Sequence, residues 1–548
     1  MNRRRSLWHK VAYATAIVVL LLPLSYLSQP RTTALHGGES VGSPGGKLAQ
    51  LRDEYGLSQA DLGELDPTSE ALKLVTLGMR GPAANILWQK ANEYKKTEDW
   101  MGFSAALEQI IRLQPNFINV WRFQAWNLSY NISVEFDDYH DRYDWVMKGI
   151  NFIIGGTNYN KNEPRLLYDV GWFIAQKIGR ADEHLQYRRL FREDDDFNGS
   201  RKPSDRDNWL VGREWFLKAQ EAVDKLGMPI KGITPLVFHS YPSMALIDYT
   251  EAIEDEGTFG EVAKNAWRKS QQSWQEFGDR EIPTTYNIPI RLNDYERTEE
   301  RAHESVAALD ELLPGMRDKI RQERIEALSP EDRQIWDTPD GDRTAEQKNR
   351  AAQIEATLKP SYLEIAQRAD TAKQLEALRL ADAATHDEWL AGVIDRYRDI
   401  VNFKYWRLHC QVEQTPEALA ARKAIYEGSH AFRNSDLNAA KKQYDEGLAN
   451  WRAVLDAYPE LLKETIVVDE LVDVIKEYTA ILDQHDIEFP EPFVLQDVID
   501  EKNKSPYPLT PKTEKQTSPA DVTGPSAEAD RGIKKSDAQP ETEPPAKP

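Results

Sequence analysis

Residues 416–450 read PEALAARKAIYEGSHAFRNSDLNAAKKQYDEGLAN. Gly428, Ala440, Tyr444 and Gly447 follow one another at spacings of 12, 4 and 3. Two helices joined by a turn at Asp436-Leu437 place such residues at their crossing. Small side chains let the backbones approach, and the aromatic ring fills the space beside the contact. The spacing therefore predicts an antiparallel helical hairpin ending near Pro459.

The same pattern recurs upstream. Leu87, Ala91, Tyr94, Leu107, Ile110 and Pro115 sit at spacings of 4, 3, 13, 3 and 5, with Pro115 ending the second helix. The next helix starts at Val120-Trp121, with Ala125 four residues after the tryptophan. Leu167, Gly171 and Trp172, with Asp182 near a turn, form a third candidate. These segments resemble divergent tetratricopeptide-like repeats, over about 80–192 and 416–459, with insertions that break a clean 34-residue period. The resemblance implies an all-α solenoid whose concave face binds extended peptides or partner helices. The layout as a whole also resembles membrane-anchored bacterial repeat proteins.

The rest of the chain agrees with an all-α body. β-Alternation is scarce, and ten of the 15 tryptophans fall in helical patterns between Trp88 and Trp274, which favours core packing over a glycan-binding face. A net charge of −21 with 29% charged residues excludes a multi-span membrane protein and argues against nucleic-acid binding by charge neutralisation. The single thiol, Cys410, permits no intrachain disulfide and no cysteine zinc site, and reads as a buried structural residue.

At the amino terminus, Arg3, Arg4, Arg5 and Lys10 precede an apolar run of 17 residues, Val11 to Leu27, with no acidic residue before Glu39. This is the short end of a membrane-spanning helix, and no Ala-x-Ala site follows it. An uncleaved anchor is favoured over a cleaved signal. The flanking cations put the amino terminus in the cytoplasm and the body outside it, in the periplasm.

Composition divides the chain into 1–28 (anchor), 29–66 (Gly-rich tether), 67–294 (aromatic-rich repeats), 295–400 (charged helices), 401–502 (carboxyl-terminal helices with the repeat) and 503–548 (tail). Asp66-Pro67-Thr68 offers a helix start, followed by Leu72, Val75 and Met79 at helical spacing. In 295–400, alternating charges predict solvated faces laced with i,i+4 pairs, in an extended arm or hairpin broken at Thr338-Pro339-Asp340-Gly341. The tail has nine prolines and no aromatic after Tyr507, a composition expected to be disordered.

Asn127 and Asn131 are four apart on one helix face beside Trp126 and Tyr130; they could hydrogen-bond the backbone of a bound peptide, or else face a neighbouring helix, a loop or solvent. Asp137, His140, Asp141 and Asp144 would share a helix face and could hold a divalent metal, although an acidic face paired with arginines such as Arg142 is the simpler reading. Glu193-Asp194-Asp195-Asp196 lacks the spacing of an EF-hand. No Walker loop, Gly-x-Gly-x-x-Gly, Gly-x-Ser-x-Gly or two-histidine zinc motif is present. The expectation is a non-enzymatic scaffold without cofactor that binds a cell-envelope protein. The alternative is a metal-dependent or glycan-active envelope enzyme on an all-α fold.

Overall fold

The computed structural model describes residues 80–504 continuously, together with Thr32–His36, Glu39–Ser43 and isolated positions at 19, 46, 47 and 50. Apart from position 19, the apolar segment 11–27 lies outside the described residues, as do the helix start at Asp66 and the tail beyond Lys504. The described chain is mostly helical. Among the described residues no helix is long and apolar enough to cross a membrane. Within the stretch read as a tether, β1 (Thr32–His36) and β2 (Glu39–Ser43) pair antiparallel, Thr32 opposite Ser43 and His36 opposite Glu39. The chain divides into two compact units between Ile233 and Thr234, a boundary that composition did not mark.

The first unit opens with a hairpin of α1 (Arg80–Lys96) and α2 (Trp100–Leu113). Asp99 caps α2 by accepting from the Gly102 N–H at 2.9 Å. Ala91, Phe103, Leu107 and Ile110 are buried between the helices, with Leu87 and Tyr94 packed against them. The Pro115 carbonyl accepts from Trp121 Nε1 at 2.8 Å and Asn160 Nδ2 at 3.0 Å, which pins the exit from α2. There follow α3 (Ile118–Trp126), α4 (Tyr139–Tyr159), α5 (Pro164–Trp172), α6 (His184–Glu193), the single turn α7 (Asp195–Asn198) and α8 (Asn208–Asp224).

Helix α5 pairs with α8 rather than with its neighbour α6. Gly171 and Gly212 make the crossing: a Cβ on Gly171 would lie 2.8 Å from the Gly212 oxygen, and one on Gly212 would lie 2.9 Å from the Gly171 oxygen. Gly171 is thus a small residue at a helix crossing, but its partner is some forty residues downstream.

The second unit begins with α9 (Pro235–Asp255) and α10 (Glu261–Gly278), followed by the two-residue strands β3 (Ile282–Pro283) and β4 (Pro289–Ile290). The charged stretch forms α11 (Tyr295–Leu312), α12 (Met316–Glu326), α13 (Pro330–Asp337), α14 (Ala345–Leu358), α15 (Tyr362–Gln367) and α16 (Thr371–Ile400). Arg398 meets Glu296, Arg301 meets Asp387, and Lys373 meets the Leu312 carbonyl, so α11 and α16 run antiparallel. Leu309, Leu313, Ile320, Ile365, Ala366, Ala377 and Ala381 give this region its own small core.

The chain closes with α17 (Phe403–Val412), α18 (Pro416–Arg433), α19 (Leu437–Ala457), α20 (Thr465–Gln484) and α21 (Gln496–Lys504). The expected tail start at 503 falls in the last turn of α21. Helices α18 and α19 form the hairpin expected from residues 416–450, with Asp436 capping α19. Ala440, Tyr444, Gly428 and Gly447 are all buried there. A Cβ on Gly447 would fall 2.6 Å from Ile425 Cδ1. Leu448, Trp451, Val454 and Leu455 carry the outer face of α19 into the core, each burial contributing about 1.5–3 kcal/mol.

Candidate functional site

Helix α3 does not end at Trp126 but widens into a π-helical turn, Asn127–Ile132. A second π-helical turn, Phe173–Lys177, follows α5. Such turns hold one extra residue and are frequent at functional sites. The first lies where α4 comes closest: a Cβ on Gly149 would fall 2.7 Å from the Ala125 carbonyl oxygen and on top of Ser129 Oγ. Ser129 donates to the Val146 carbonyl at 3.2 Å, and Ser133 donates to the Ser129 carbonyl at 2.6 Å, so side chains satisfy backbone groups around the widened turn.

The two π turns bring aromatic rings together. Tyr130 stacks on Trp126 at 6.0 Å and 17°, and on Trp172 at 6.2 Å and 28°, with Phe173 edge-on at 6.0 Å. Trp126 is 40% exposed, and Phe117 and Phe123 are each 36% exposed. Trp88 of α1 bridges Phe117 and Phe123 at ring distances of 6.0 and 5.5 Å. The result is a half-open aromatic shelf built from α1, α3, the end of α5 and both π turns.

Two ammonium groups border it. Lys177 Nζ lies 4.3 Å from the centre of the Tyr130 ring, and Lys95 Nζ lies 6.0 Å from that of Trp126. Among the described residues neither lysine has a carboxylate within ion-pair distance. Burial pushes the Lys177 amine below its ordinary range, against the pull of Glu183, whose carboxylate is engaged by Arg142. Burial likewise raises the Tyr130 hydroxyl above its ordinary range. An ammonium group on an aromatic face still has N–H groups to donate in charge-assisted hydrogen bonds to an anionic partner.

Of the four residues expected to contact a peptide, Trp126, Tyr130 and Asn131 keep solvent-facing surface. Asn127 is fully buried; its Oδ1 accepts from Asn131 Nδ2 at 3.0 Å, and its own Nδ2 meets no acceptor among the described residues.

The acidic cluster is arranged otherwise than a helix face. Helix α4 starts only at Tyr139, so Asp137 precedes it, and Asp138 is the cap, accepting from the His140 N–H at 2.7 Å. Asp138 also meets His140 Nδ1 at 2.9 Å. Asp141 and Asp144 are exposed. Among the described residues no three acidic, histidine or cysteine side chains converge as a metal site. In the acidic loop, Asp194 caps α7 and Asp195 pairs with Arg206 at 2.6 Å.

One constellation escaped sequence reasoning altogether. In the second unit Arg422 grips the buried Glu413 at 2.7 Å and also pairs with Glu470. His409, 5% exposed, stands 3.8 Å from Glu413 and 3.9 Å from Glu251. Glu254, buried beside them, accepts from Trp267 Nε1 at 3.1 Å. These residues come from segments about 220 positions apart, and each alone reads as an ordinary surface charge.

No protein-family profile matches this chain, and no curated protein is similar to it.

Proposed function

We propose that the protein is a membrane-tethered scaffold built from tetratricopeptide-like hairpins, holding an extended acidic segment of an envelope protein on the Trp126–Tyr130–Trp172 shelf. The observation that carries this reading is the half-exposed ring stack bordered by Lys95 and Lys177, two cations with no carboxylate within ion-pair distance among the described residues, in a chain of net charge −21. Aromatic rings provide apolar contact area at low entropic cost, and the ammonium groups provide charge-assisted hydrogen bonds that fix register. The apolar segment 11–27, with its arginines, would insert in the cytoplasmic membrane and leave the body on the periplasmic side. Tethering then raises the effective concentration of scaffold near any partner in the same membrane.

A photo-crosslinker placed at Phe123 of the full chain in intact cells tests this, followed by membrane fractionation and mass spectrometry. The expected result is one reproducible envelope protein, captured from the membrane fraction and lost in the Lys95→Glu/Lys177→Glu double variant. Capture unchanged by that variant sinks the reading, as does recovery of the protein from the soluble cytoplasmic fraction.

A further inference from the structure

Leu375, Asp382, His386, Trp389, Arg396 and Ile400 follow one another along α16 at spacings of 7, 4, 3, 7 and 4, so they share one helix face. The face is open: Leu375 is 83%, Trp389 38% and Ile400 61% exposed. Tyr286, from the loop between β3 and β4, is 46% exposed and meets Trp389 edge-on at 5.6 Å. That loop is fixed in place. The Thr285 N–H donates to the Tyr397 hydroxyl at 3.1 Å, and the Thr284 hydroxyl donates to the Ile288 carbonyl at 2.7 Å. The His386 ring lies 6.3 Å from that of Trp389, and the Arg396 guanidinium 5.9 Å from that of Tyr286.

Gly392 lies between Trp389 and Arg396 in the interior of this helix, where glycine costs about 1 kcal/mol relative to alanine. A Cβ there would meet nothing within 4 Å among the described residues. The described fold thus gains nothing from the missing side chain, whereas a segment laid across Trp389 gains a close approach to the backbone. Two opposite charges frame the rings. Asp382 and Arg396 each stand seven residues from Trp389, about 10.5 Å along the helix axis. Among the described residues neither has an ion-pair partner. Open rings, a bare backbone and a charge at each end fit a polyproline II segment, which lays proline rings on aromatic side chains and has little conformational entropy to lose.

The chain itself carries such a segment. Of the nine prolines in residues 505–548, only Pro544 has a carboxylate three residues before it, Glu541, and an ammonium three residues after it, Lys547. At the polyproline II rise each charge stands about 9 Å from Pro544, close to the spacing on α16. We propose that residues 541–547 (ETEPPAK) dock on this face of α16, with Pro544 and Pro545 on Trp389 and Tyr286, Glu541 on Arg396 and Lys547 on Asp382. The charges fix the direction: the segment runs antiparallel to the helix. Forty residues lead from Lys504 to Pro544, about 130 Å when fully extended, so every face of the second unit is within reach. Linkage within one chain raises the local concentration of the segment, so contacts that are weak in isolation suffice. This docking is independent of the Trp126 shelf.

The test is photo-crosslinking of the purified full chain carrying p-benzoylphenylalanine in place of His386, with products separated by mass and mapped by mass spectrometry. The expected product is monomeric, with the crosslink concentrated on residues 541–547. Arg396→Glu should reduce that yield at least about threefold, and adding Glu541→Arg to the same chain should restore it. Should Arg396→Glu alter the circular dichroism spectrum, the Pro544→Ala/Pro545→Ala double variant, which leaves α16 untouched, must give the same loss. No crosslink to residues 505–548, crosslinks spread evenly over them, or a yield that these substitutions leave unchanged overturns the docking. A product joining two chains overturns it as well, and assigns the face to a second copy.

Discussion

Gly428 lies against the ring of Tyr444 so closely that a Cβ on the glycine would fall 2.6 Å from Tyr444 Cδ2 and 3.2 Å from Gln443 Cβ. The tyrosine cannot swing away freely, because its ring is buried and its hydroxyl is held by Glu477. Gly428→Ala should therefore destabilise the second unit by about 1–3 kcal/mol, the usual cost of forcing an extra group into a packed contact. Urea denaturation checks this: the midpoint should fall while the slope stays constant.

Arg188, 1% exposed, donates to Asp207 at 2.9 Å and to Asn208 at 2.6 Å. Asp207 in turn caps α8 by accepting from the Trp209 N–H at 2.9 Å. Arg188→Met keeps much of the volume but removes the nearest cation from a buried carboxylate, leaving Arg192 at 3.7 Å. The expected loss is up to about 3 kcal/mol, below the full scale for breaking a buried pair from one side because Arg192 remains. Replacing Asp207 with Asn in the same background should recover part of that loss, and thermal unfolding of the two variants measures it.

Burial alone would raise the Glu296 carboxyl, but hydrogen bonds from Arg398, together with the charges of Arg398 and Arg407, outweigh it and hold it down at about 2. Because the folded-state pKa lies below the unfolded one, the stabilisation is present above about pH 4.5 and is lost as pH falls toward 2. Glu296→Gln should flatten this part of the acid-unfolding curve of the second unit, followed by circular dichroism. A curve that keeps the wild-type slope contradicts the assignment.

Trp126 is an exposed member of the ring stack. Trp126→Ala should change stability by less than about 1 kcal/mol, as surface substitutions generally do, yet abolish crosslinking from Phe123. Comparing the melting temperature with the crosslink yield separates binding from folding. A large drop in melting temperature would make the shelf a structural element instead.

Helical content and the α18–α19 hairpin were legible in the sequence because both rest on local spacing: Gly428, Ala440, Tyr444 and Gly447 need only each other. The α1–α2 hairpin was legible for the same reason, and Cys410 is buried as its amphipathic surroundings implied. Gly171 shows where this stops. A small residue on one helix says that something approaches, but not that Gly212 and Phe216 of α8 do so rather than α6. In the charged stretch the alternation predicted pairs along single helices. Many pairs instead cross between helices, such as Arg321 with Glu355 at 2.9 Å and Arg368 with Glu323 at 3.0 Å.

The shelf was half legible. Trp126 and Tyr130 stood out, but Trp172 and Lys177 join them only through two π-helical turns, which no periodicity announces. The carboxylates around Arg422 were not legible at all. A glutamate on an amphipathic helix reads as solvated unless its neighbours from distant segments are known.

Lys373 Nζ lies 3.0 Å from the carbonyl oxygen of Leu312, so the sixty residues between them leave and re-enter the fold at one doorway. With their own small core they behave as a cassette. The entropy of closing a loop changes only slowly with its length, so residues can be added or removed inside such a cassette while the walls of its doorway stay fixed. The charged stretch is thus a part of the described chain where length is free to vary, and a fused reporter domain inserted at Pro339-Asp340 should leave both units folded.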